Sequence, residues 1–218
     1  YMYDALTAIK EYDDALDFQR TLRAHWQKHT DVAYCLYGSK RNMMIDLFSD
    51  PKNPFYKFGD MIFLQKIVRE EWVPFIVRRF RDTGKHINDD IAAYIADRVE
   101  NHPYYVQQLS QLVWFRTSDQ CSKEIVDAAF EGLEAQLGLV FSLILDNLAP
   151  SQIGFLQAVA NGETSFTAQE VLTRYRLGSS ANVKNIKNAL EKKELIDILP
   201  NSITLQDPVF KHWLLTKY

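Results

Sequence analysis

Hydrophobic positions along this chain recur mostly three and four residues apart, the period of a helix with one buried face. Over residues 11–29, Ala15, Leu16, Phe18, Leu22 and Trp26 form such a stripe, with charges between them. The same spacing predicts a short helix over 42–48 and longer ones over about 71–83, 88–100, 103–116 and 122–145. Asp89 and Asp90 are expected to cap the 88–100 helix by accepting from its free amides. Pro103 suits a first helical turn, where its missing amide costs nothing. Two segments break the helical rhythm. Residues 32–37 are apolar on both faces and rich in β-branched and aromatic side chains, which predicts a strand covered on both sides, with Cys35 buried. Residues 60–67 read as a short strand leading into a linker. The prolines of 50–56 mark a loop.

The last third has its own pattern. A helix over 151–161 turns Ile153, Phe155, Leu156 and Val159 inward. Thr167 and Glu170 stand at capping-box spacing and predict a second helix. Gly178, Ser179 and Ser180 end it and open a third, about 180–193, with Val183, Ile186 and Leu190 as its inner stripe. Residues 195–199 and 202–205 read as two strands joined across Pro200 and Asn201, and 208–215 as a closing amphipathic helix. Helices followed by a hairpin are the winged-helix plan, a variant of helix-turn-helix.

Composition changes this picture little. Of 218 residues, 47% are hydrophobic and 24% charged, ordinary values for a globular protein. The net charge of -3 does not favour a nucleic-acid binder by bulk charge and leaves room for a local basic face. Residues 151–218 carry eight Lys/Arg against six Asp/Glu, a net +2, which is thin for a DNA footprint. No signal peptide stands at the start, and no stretch approaches the roughly 18 unbroken apolar residues that span a bilayer. No membrane association is therefore expected. His25 and His29 are four apart without a third ligand, so no metal site is predicted.

Candidate chemistry sits at two places. Gly38-Ser39 closes the 32–37 strand, and in α/β sheets ligands lie beyond such strand ends. The other is 101–107, Asn-His-Pro-Tyr-Tyr-Val-Gln, a helix start with three aromatic or imidazole rings. Arg78, Arg79 and Arg81 cluster where a helix C-terminus favours cations.

The run of Tyr12, Leu22-Arg23, Gln27, Tyr34-Cys35-Leu36-Tyr37-Gly38-Ser39, Met43-Met44, Phe48 and Pro54-Phe55-Tyr56 resembles the archaeal-type ATPase family, a largely prokaryotic branch of the STAND/AAA+ P-loop ATPases. The resemblance covers about residues 9–218. It implies that Ser39 is the sensor of the γ-phosphate and that Lys40 and Arg41 are cations able to face phosphate. It also implies that Pro103 and Tyr104, in a variant of the family's Gly-x-Pro motif with Asn101 at the glycine, border the adenine base. The chain contains no Gly-x-x-x-x-Gly-Lys-Ser/Thr phosphate loop, nor the acidic motif the family carries just before residues matching 9–12.

The reading is therefore a mainly α chain with a partial α/β nucleotide-binding portion, a helical lid and a C-terminal winged helix. Its expected domains are 1–67, the end of an ATPase core, then 68–148, the lid, and 149–218, the winged helix. The partners of the 32–37 strand, together with ATP and Mg2+, are expected in a longer intact protein, and this chain alone is expected to be inactive. The two solitary cysteines, Cys35 and Cys121, suit a reducing, cytoplasmic location. The alternative is a DNA-binding transcriptional regulator using Lys184, Asn185, Lys187 and Asn188 of the third winged-helix segment. The resemblance implies first that this domain packs on the ATPase core; contact with DNA and then with another protein are its other uses.

Overall fold

The computed structural model describes residues 15–37, 41–199 and 201–218. It divides into two compact units, 1–64 and 65–218. Ser39 and Lys40, and Pro200 of the hairpin, lie outside the described residues.

The first unit holds helix α1 (Ala15–Trp26) and helix α2 (Arg41–Ser49). An aromatic cluster holds them. Trp26 stacks on Tyr34 at 4.7 Å and lies 5.6 Å from Phe55, which is buried and 5.7 Å from Phe48. Arg23 donates to the carbonyl of Tyr56 at 3.1 Å and also to that of Pro54, fixing the proline-rich loop against α1. The loop is closed by the Asp50 carboxylate, which accepts from the Lys52 amide, an Asx turn of the kind its sequence predicts.

Three expectations fail in this unit. Leu16 and Phe18 are exposed, and α1 instead turns Gln19, Leu22 and Trp26 inward. Residues 32–37 form no strand and belong to no ladder among the described residues, and Cys35 is exposed rather than buried. Residues 60–67 likewise form no strand, with Ile62 84% and Leu64 93% exposed. Apolar, β-favouring composition describes a residue's fitness for a sheet; it does not supply the neighbouring strand.

The second unit begins with four helices, α3 (Arg69–Arg81), α4 (Asp89–Arg98), α5 (Pro103–Arg116) and α6 (Lys123–Asp146). Their apolar faces converge on Trp72, Ile76, Ile95, Val106, Leu109, Val126, Phe130 and Leu133, all buried. Asn88, not Asp89, is the N-cap of α4, and no side chain caps it; Asp89 and Asp90 sit in the first turn, where their charge suits the helix dipole. By length and composition α6 is apolar enough to cross a bilayer, against expectation. Glu131, Glu134 and Gln136 interrupt any continuous apolar run, while the average over the helix stays high. The inner face of α6 packs Phe130, Leu133, Phe141 and Leu145 in the core.

The chain continues through α7 (Pro150–Ala160), α8 (Gln169–Arg174) and α9 (Ser180–Lys192) into an antiparallel hairpin, β1 (Ile196–Leu199) and β2 (Ser202–Leu205), and ends in α10 (Pro208–Thr216). Ile196 pairs with Leu205 and Leu199 with Ser202. The fold is thus mainly α, ending in three helices, a wing and a closing helix, in the order the sequence predicts. The expected capping box at Thr167 does not form: Ala168 is the N-cap of α8, and Glu170 pairs with Arg174 one turn on. The Ser179 side chain does cap α9, accepting from the Asn182 amide.

Candidate functional site

The turn between α4 and α5 carries the 101–107 motif. Glu100 and Asn101 both adopt left-handed backbone, with φ of 50° and 57°. The Asn101 amide donates to the Ala96 carbonyl at 2.8 Å and the His102 amide to the Val99 carbonyl at 2.9 Å, closing α4 before Pro103 opens α5. Left-handed backbone favours glycine, and asparagine is among the few other residues that visit it readily. Asn101 therefore supplies the backbone that a glycine would give.

Above this turn the rings are ordered. Tyr104 is 61% exposed, while Tyr105 is buried, 5.2 Å edge-on from Tyr104 and 5.1 Å from the His102 ring. Asn101 Oδ1 and His102 Nδ1 are shielded from water and have no hydrogen-bond partner in the protein. Buried polar atoms are nearly always satisfied, so these two are exceptions within the turn. Burial holds the His102 imidazolium pKa below its usual range; Asp207 opposes this and Lys66 adds to it. Burial, then the hydrogen bond to Asp207, pushes the Tyr105 phenol well above its usual range. At neutral pH the site thus presents a neutral imidazole and a phenol that can only donate to that carboxylate.

Pro103 and Tyr104 therefore sit together at the head of α5, Pro103 half-buried and Tyr104 outward. Arg41 opens α2 in the first unit. Arg78, Arg79 and Arg81 occupy the last turn of α3, where Arg79 stacks over Phe75 at 5.2 Å. No group of metal-ligating side chains occurs among the described residues.

Helix α9 turns Val183, Ile186 and Leu190 onto α7 and β1 and leaves Lys184, Asn185 and Asn188 exposed. Lys187 departs from this set: its ammonium lies over the buried Phe166 ring at 5.1 Å.

Sequence reasoning missed the residues that join the motif to the tail. Tyr105 donates to Asp207 at 2.5 Å, Lys211 to Glu100 at 2.7 Å, and His212 Nδ1 lies 2.6 Å from the buried Glu134 carboxylate. Each pair spans 78 or more residues, so no local pattern could reveal it. The only hint was an aspartate immediately before Pro208, a helix-opening signature.

Residues 139–216 match the family model described as a probable winged helix domain. The tail is a winged helix. The chain is also similar to a solved structure, the Walker-type ATPase PABY2304 of Pyrococcus abyssi. The TM-score is 0.69 at 15% identity, over 93% of this chain and 58% of that one. This likeness is one of fold, and the chain spans little more than half the length of that ATPase. No match was found among curated protein sequences.

Proposed function

We propose that this chain is the C-terminal portion of an ATP-binding P-loop protein of the archaeal-type STAND/AAA+ branch, whose lid and winged helix respond to nucleotide state in the cytoplasm. The observation that carries the reading is the 101–107 turn. Its left-handed Asn101 takes the place of the motif's glycine, and the same turn carries two unpartnered polar atoms and the exposed Tyr104 ring. A flat, solvent-facing ring accepts the face of a purine, and neighbouring polar atoms meet its edge. The likeness of fold to a Walker-type ATPase supports the same reading.

The residues present fit the base end of a nucleotide. In the intact protein Pro103 and Tyr104 would border the base, Ser39 would sense the γ-phosphate, and Lys40 and Arg41 would face phosphate. Bound ATP with Mg2+ supplies a phosphoanhydride whose charge the metal neutralises. The phosphate loop would come from a part of the protein outside this chain, and the 32–37 segment, in no ladder among the described residues, would join that module's sheet. The chain by itself would bind nucleotide weakly and hydrolyse none.

The test is calorimetry and turnover on the natural protein carrying this chain. ATP is expected to bind. Tyr104→Ala is expected to weaken binding on the order of 10-fold, the worth of one base–aromatic stack. Ser39→Ala is expected to lower turnover on the order of 100-fold with binding retained, as for loss of one preorganised donor. A protein that ignores ATP would overturn the reading.

The exposed face of α9 favours a second reading, DNA contact through Lys184, Asn185 and Asn188. Duplex DNA would then bind with affinity falling steeply in salt, and Lys184→Ala would reduce the slope of log K against log salt by about 1. Fluorescence anisotropy from low to physiological salt measures this, and no binding at low salt removes the reading.

A further inference from the structure

Helix α10 is held from two directions. On one side apolar burial anchors it to α6: Phe210 is buried 5.1 Å from Phe141, and His212 lies edge-on to Phe130 at 5.0 Å. On the other side two polar ties reach the turn that carries the 101–107 motif. Lys211 holds Glu100 just before it, and Asp207 holds Tyr105 within it.

The Asp207 tie has an unusual economy. Oδ1 accepts from the amides of Val209 and Phe210, both at 2.9 Å, and so caps α10. Oδ2 accepts from the Tyr105 hydroxyl. One carboxylate therefore ends one hydrogen-bond chain that begins at the motif and starts the helix that closes the winged helix. Tyr105 touches His102 on one side and Tyr104 on the other, so a group seated against those rings acts on Tyr105 directly. Hydrogen bonds tolerate little displacement; they weaken steeply once distance or angle departs from the ideal. A shift of Tyr105 must either pull Asp207 off its cap or release it. The apolar anchor on α6 is independent of this choice and serves as the pivot.

We propose that Tyr105 and Asp207 are positioning residues that transmit occupancy of the 101–107 turn to α10, and through it to the winged helix. This rests on the nucleotide reading above and names its output. It assigns the output to the winged helix's last helix, not to its wing or α9.

The experiment is amide hydrogen exchange at Val209 and Phe210 in the natural protein carrying this chain, with and without ATP, beside calorimetry for ATP affinity. ATP is expected to change exchange at these two amides by about 10-fold, the factor one charge-assisted hydrogen bond is worth. Tyr105→Phe keeps the ring and its burial. It is expected to abolish the ATP-dependent difference while ATP affinity stays within about twofold, since the hydroxyl is committed to Asp207. Lys211→Ala, on the second tie, is expected to reduce the difference without abolishing it. A merely structural tie would alter exchange equally with and without ATP. If ATP binds and the two amides do not respond, or if Tyr105→Phe responds as the natural protein does, the coupling is wrong and the nucleotide reading stands. If ATP does not bind, both fall.

Discussion

Gly154→Ala is expected to destabilise the 65–218 unit by about 3 kcal/mol or more, the upper end for forced overpacking. In a helix interior this substitution ordinarily helps, by about 1 kcal/mol. Here a Cβ at position 154 would stand 1.9 Å from the Tyr175 carbonyl oxygen and 3.0 Å from its carbon. Those are backbone atoms at the C-terminus of α8, so no rotamer change relieves the overlap. The helices α7 and α8 must separate, and Phe155, Leu156 and Leu177, all fully buried, lose their packing with them. Gly132→Ala is the control. Its Cβ would meet the tip of the Arg116 side chain at 3.0 Å, which can swing aside. Thermal melting reads both. The first should fall by roughly 6 °C or more at this size, and the second should hold or rise. An unchanged melting point for Gly154→Ala would mean that α7 and the end of α8 do not approach as described.

The second large effect is expected at His212. Glu134 is 5% exposed on α6, and its carboxylate has His212 as its partner at 2.6 Å. His212→Ala removes that partner together with the ring packed on Phe130. The cost is expected at about 3 kcal/mol, because a buried acceptor left unsatisfied forfeits its desolvation as well as its bond, more so when charged. Removing both groups should cost less than the two single losses summed, since Glu134→Leu leaves nothing charged to strand. Denaturant unfolding of the single and double variants measures this. Additivity across the cycle would show that the two side chains do not depend on one another. The pair matters beyond stability because it forms, with Phe210 and Phe141, the anchor about which α10 is held.

Helices were legible because their stripes are local. The 3.6-residue period of α3 to α6 and of α9 located each helix to within two or three residues of its observed ends, since a helix satisfies its own backbone and needs only one face covered. The hairpin was legible for a related reason, as both strands and their turn lie within ten residues. Strands at 32–37 and 60–67 were not, because a strand exists only through a neighbour, and periodicity is silent on whether one is there. Cys35 was misplaced by the same step. The left-handed Asn101 was half legible: its position in a motif that elsewhere carries glycine pointed to it, but its φ was a property of how α4 ends.

By itself the sequence determined the helical class and the winged-helix tail. Both are written in spacing along the chain, which local sterics and burial convert into structure. Only the tertiary structure decided that Asn101 and His102 hold polar atoms without partners, that Lys187 is spent on Phe166 while Lys184, Asn185 and Asn188 remain free of burial, and that Tyr105, Glu100 and Glu134 meet Asp207, Lys211 and His212. Those contacts depend on where the packing of α6 against α10 brings side chains that are far apart in the chain, and packing is a property of the whole core rather than of any segment of it.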